Sequence, residues 1–149
     1  MKITSVRHGF ATNSSSSHSV VYGNPNWSGL TKREIADKYN PENGTTEFDW
    51  EFETHDDFNS IVTYAIMANL MFDYSVIPYG ETFNKSKWEF EILSRGYSEE
   101  LTDILLNHGE YLIDNAYVDH QSLLGGGTED SVWDFIYGVT SVETGNDNV

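Results

Sequence analysis

The stretch Thr46–His55, TEFDWEFETH, alternates apolar and acidic residues along its length. Phe48, Trp50 and Phe52 recur at every second position, and Glu47, Asp49, Glu51 and Glu53 fill the places between them. Successive side chains of a β-strand point to opposite faces. The spacing therefore predicts a strand with an aromatic face toward a core and an acidic face toward water. The tetrapeptide WEFE at 50–53 returns at 88–91, inside KWEFEIL. Read the same way, it is a second strand with Trp88, Phe90 and Ile92 on one face and Glu89 and Glu91 on the other. A β-α unit used twice and two like strands paired in one sheet both account for the repetition.

Working outward, the helices announce themselves by their caps. TKRE at 31–34 has the spacing of a capping box and predicts a helix to about Tyr39 that buries Ile35 and Tyr39. Thr54 and Asp57 read as the start of the longest helical pattern, DFNSIVTYAIMANLMFDY at 57–74, which is apolar on most sides and is expected to lie inside the core. Ser98 caps EELTDILLNHG, for which Gly109 is the expected stop. SVWDFIYGV at 131–139 places Val132, Phe135, Ile136 and Val139 at helical spacing.

Further strands are expected in MKITSVRHG at 1–9, HSVVYG at 18–23 and EYLIDNAYV at 110–118, the first two forming a long-looped hairpin. The fold class is then α+β: a mainly antiparallel sheet of about five strands with three to four helices packed against it. Residues 1–139 form one domain, and 140–149 an acidic polar tail expected to fray.

Composition narrows the function. Hydrophobic residues make up 38% of the 149, which argues for a packed core over disorder. The longest apolar run, residues 61–72, is too short to span a bilayer, and no hydrophobic leader begins the chain. There is no cysteine, so thiol catalysis and cysteine-zinc sites are excluded, and neither a metal nor a cofactor is expected. The net charge of −16 is the wrong sign for binding a phosphate backbone or an anionic membrane; it suits a protein partner with a basic surface, or simple solubility.

The loop between the first two strands carries Arg7, His8, Asn13, Ser14, Ser15, Ser16, Ser17 and His18. Successive serine amides and hydroxyls can cradle an anion, and a serine beside a histidine is the pairing of a nucleophile with its base. Such serines also satisfy their own backbone in an ordinary turn. On a regular strand Arg7 and His8 point to opposite faces.

Phe10, Thr12, Asn13, Ser14, Ser15, Ser16, His18 and Ser19 resemble the opening of small uncharacterised phage and bacterial proteins that share Phe-x-Thr-Asn-Ser-Ser-Ser-x-His-Ser. The likeness implies a phage-type origin, with a bacterial host cytoplasm or a virion as the expected location, and names no reaction. Arg7-His8-Gly9, with His108-Gly109 further on, is more faintly similar to the histidine phosphatase superfamily. That resemblance implies His8 as phosphoryl acceptor, Arg7 as clamp and His108 as a second phosphate ligand.

The carboxylates supply the other candidate. Glu47, Asp49, Glu51 and Glu53 would form a negative ladder on the first strand, deepened by Glu89 and Glu91 on a neighbour. It reads either as the wet face of a one-sided sheet or as a docking face for a cationic partner, since unrelieved like charges are costly across strands. Two functions follow. One is an acidic phage-type interaction protein, a virion component or host-factor binder; the other is a phosphate-handling enzyme centred on the Arg-His-Gly and serine loop.

Overall fold

The computed structural model describes residues 5–8, 16–49, 51–70, 83–118 and 127–146, with the backbone alone for 5–8, 16, 17 and 146. The fold is α+β. Strand β1 (Ser5–His8) pairs antiparallel with β2 (Ser16–Tyr22), which is the expected hairpin. The capping box is present: Thr31 Oγ1 accepts from the Glu34 amide at 3.1 Å and Glu34 Oε1 accepts from the Thr31 amide at 2.9 Å. It opens α1 (Lys32–Lys38), and Ile35 and Tyr39 are buried.

TEFDWEFETH is not one strand. Glu47–Phe48 form β3 and Glu53–His55 form β4, and the two lie in different sheets. Helix α2 (Phe58–Leu70) follows, with Asp57 Oδ2 accepting from the Ser60 amide at 3.1 Å. Every residue of α2 but Asn59 is buried, as its all-round apolar pattern predicts. Its polar side chains are partnered inside: Ser60 accepts from the Thr45 amide, Thr63 meets the Tyr39 hydroxyl at 2.6 Å, and Asn69 donates to the Ala65 carbonyl. Buried polar groups without partners would destabilise this helix, so these bonds accompany its burial.

The second WEFE is a helix, which corrects the expected strand. Asn84 caps α3 (Lys85–Ser94), accepting from the Lys87 amide at 3.0 Å. Trp88 and Ile92, one turn apart, are the buried pair, and Phe90 is turned out. Glu89 and Glu91 therefore flank a helix and do not extend any ladder. Helix α4 (Glu99–Asn115) runs past Gly109, the expected stop, and absorbs most of EYLIDNAYV. Leu101, Ile104, Leu105, Gly109 and Leu112 are its buried stripe. The glycine is there for clearance, because a Cβ at 109 would fall into the Trp88 indole, whose Nε1–H donates to the Leu105 carbonyl at 2.8 Å. Only Tyr117–Val118 (β5) is extended, parallel to β3.

Helix α5 (Glu129–Gly138) continues directly into β6 (Val139–Asn146). The expected fraying tail is thus a strand as far as Asn146, lying between β2 and β4 in the sheet order β1-β2-β6-β4, all antiparallel. Val142 and Thr144 face inward, and α2 lies against α5, β5 and β6. Among the described residues no helix is long and apolar enough to cross a membrane.

Candidate functional site

The two candidate regions meet at one histidine. In β1 and β2 the Cα partners are Arg7 with Ser19 and His8 with His18, in regular register. Ser16 and Ser17 lie in β2 across from Asn146 and Gly145 of β6, whereas Asn13, Ser14 and Ser15 lie outside the described residues. His18 is completely buried. Its Nδ1 stands 3.1 Å from the Tyr64 hydroxyl and its Nε2 stands 3.2 Å from the Asp49 carbonyl oxygen. A carbonyl only accepts, so Nε2 carries the proton; in the neutral ring Nδ1 then accepts from Tyr64. A base for the serine loop needs a ring nitrogen open to that loop, and here both nitrogens have partners within the fold. His108 lies half-buried on α4, edge-on to Tyr39 at 5.2 Å. Burial there lowers its pKa, against the opposing charge of Glu42.

Tyr64 holds the centre of an aromatic cluster. Its ring meets Phe48 edge-on at 5.0 Å, stacks with Phe135 at 5.5 Å and is tilted against His18 at 5.8 Å. Phe48 also receives the edge of His55, whose Nε2 is 3.6 Å from Glu53. These contacts attach β3 and β4 to the core on either side of the Asp49–Phe52 segment.

That segment carries the acidic residues the structure keeps together. Asp49 Oδ1 accepts from the Glu51 amide at 3.3 Å, a side-chain-closed turn. Two inward side chains of neighbouring strands, His18 on β2 and Thr144 on β6, are Cα partners and tether it. His18 donates to the Asp49 carbonyl, and Thr144 Oγ1 donates to the Glu51 carbonyl at 2.6 Å. Glu51 is fully exposed, and its pKa is raised first by a hydrogen bond with the Glu53 carboxyl and then by the charges of Asp49 and Glu53. Glu47 is also exposed but belongs to β3, and Glu89 and Glu91 are carried by α3. The six-residue acidic face of the sequence is therefore a three-residue cluster: Asp49, Glu51 and Glu53.

Among the residues whose side chains are described, no lysine or arginine forms an ion pair with this cluster. Arg33 reaches Asp37, Glu99 and Asp103, Lys32 lies over the Trp133 ring and Lys38 over Phe58. Between Glu51 and Glu53, Phe52 is 71% exposed. Thr144 and Gly145 were not legible as supports, because they sit in a segment whose composition reads as a tail, and Tyr64 reads only as one more core residue of a helix that is apolar on most sides. Comparison with family models, curated proteins and solved structures found no match.

Proposed function

We propose that this protein is a small acidic interaction module that docks on a basic protein surface through the Asp49–Glu53 segment. The observation that carries the reading is the acidic segment of Asp49 and the exposed Glu51 and Glu53, held at the Asp49 and Glu51 carbonyls by His18 and Thr144. Their like charges repel on an exposed surface whose backbone is tethered by His18 and Thr144; His55 lies 3.6 Å from Glu53, and among the residues whose side chains are described no lysine or arginine forms an ion pair with them. A lysine or arginine from a partner would relieve that repulsion and gain a charge-assisted hydrogen bond. The net charge of −16 adds long-range attraction for such a partner. The motif resemblance favours a phage-type role, as a virion component or a host-factor binder.

The test is charge reversal. Tagged wild-type protein and the Asp49→Lys/Glu51→Lys variant are used to capture proteins from a bacterial extract, with folding of both checked by circular dichroism. Basic proteins held by the wild type and lost from the variant support the reading. Capture unchanged by the reversal overturns it.

A further inference from the structure

We infer that Phe52 is the apolar anchor of this docking segment, and that the partner surface carries an apolar pocket bordered by lysine or arginine side chains. The inference rests on the docking function proposed above and specifies the chemistry of the partner. An aromatic side chain left 71% exposed forgoes burial that the fold offers to its sequence neighbour Phe48, which is fully buried. Phe52 is also not a loose side chain on a mobile tip. The preceding backbone is tied at the Asp49 and Glu51 carbonyls by His18 and Thr144, and β4 begins at the next residue. The ring lies over Gly145, where an added Cβ would stand 2.8 Å from both Cδ1 and Cε1. A ring seated on a glycine and held by two side-chain tethers is oriented before any partner arrives, which lowers the entropy lost on binding.

The chemistry around the ring states what it fits. Glu51 and Glu53 precede and follow it, so a purely apolar partner would desolvate two carboxylates without compensation. A cationic partner lacking a pocket would leave the ring in water. The complement of both features is a pocket with a basic border, in which a central aromatic residue enclosed by polar contacts carries most of the binding energy.

Phe90 supplies an internal comparison. It too is 71% exposed and lies between two glutamates, but on α3, where Glu89 and Glu91 are half-buried and the acidic cluster is absent.

Two fluorescent probes of equal charge test the inference: an amphipathic lysine/leucine peptide and an oligolysine, both titrated at low salt. Phe52→Ala is expected to weaken the amphipathic peptide about tenfold or more and to leave the oligolysine within about twofold. Gly145→Ala, which displaces the ring without removing it, is expected to act in the same direction. Phe90→Ala is expected to change neither. An amphipathic peptide that binds Phe52→Ala as tightly as wild type overturns the inference, and so does an equal loss for Phe52→Ala and Phe90→Ala. The Glu51→Gln/Glu53→Gln variant separates the two levels. If it binds both probes as wild type does, the acidic docking function itself fails; if it weakens both while Phe52→Ala weakens neither, only the anchor fails.

Discussion

The imidazole of His18 on β2 lies 3.2 Å from the backbone carbonyl of Asp49, thirty-one residues away, and so joins the serine-histidine motif to the acidic segment. With Nδ1 on Tyr64, the ring bridges the core and the back of the Asp49–Phe52 segment. His18→Ala removes a fully buried ring and both bonds, and is expected to cost about 2–4 kcal/mol in urea unfolding. Thr144→Val removes the second tether and is expected to cost about 1 kcal/mol. Both substitutions are expected to speed hydrogen exchange in residues 51–53 more than in α4. Unchanged exchange there would show that the tethers do not order the segment.

Glu129 gives a prediction with a defined pH sign. Burial pushes its pKa up, but bonds from the Ser98 hydroxyl, the Trp133 indole and the Ser98 amide, with the charge of Lys32, outweigh burial and hold it below its ordinary value of 4.5. A depressed carboxylate pKa stabilises the fold above the unfolded value, and that stability is lost as pH falls through the folded value. Glu129→Gln is expected to cost about 1–2 kcal/mol at pH 7, allowing for its partial exposure. The gap between wild type and variant is expected to close below pH 4.5, as read by thermal unfolding across pH.

Glu51 has the opposite sign. Its raised pKa means that its charged form is disfavoured in the folded protein, so its contribution to stability improves as pH falls and worsens as pH rises through the raised value. Glu51→Gln is expected to be as stable as wild type or more stable at pH 7, with no difference at a pH low enough to protonate Glu51 in both states. A cationic partner lowers that pKa, so binding near it is expected to release protons. Calorimetry in buffers of different ionisation enthalpy measures that release.

Gly109→Ala places a methyl group in the Trp88 indole and displaces the donor to Leu105. The expected cost is about 2–3 kcal/mol, despite alanine's better helix propensity. Gly29→Ala meets no atom within 4 Å and is expected to be near neutral. Equal stability of the two variants would disprove the clearance argument for Gly109.

Local chemistry was legible wherever the determinants were neighbours in the chain. The Thr31–Glu34 box, the Asp57 start, the Ser98 cap and the all-round apolar pattern of α2 need only side chains a few positions apart, and each forms as the sequence predicts. The acidic candidates were legible as residues, but their grouping was not. WEFE is compatible with both periods: at 88–91 the Asn84 cap and the docking of Trp88 over Gly109 select a helix, whereas beside the first copy His18 and Thr144 hold the Asp49 and Glu51 carbonyls between β3 and β4.

By itself, then, the sequence determined the α+β class, the caps, the central helix and an excess of negative charge. Only the tertiary structure decided that Val139–Asn146 is an inner strand, that Gly109 makes room for an indole and that His18 looks inward. A strand is completed by hydrogen bonds to partners far away in the chain, and a glycine's role depends on what packs against it. Neither is written in the residues adjacent to it.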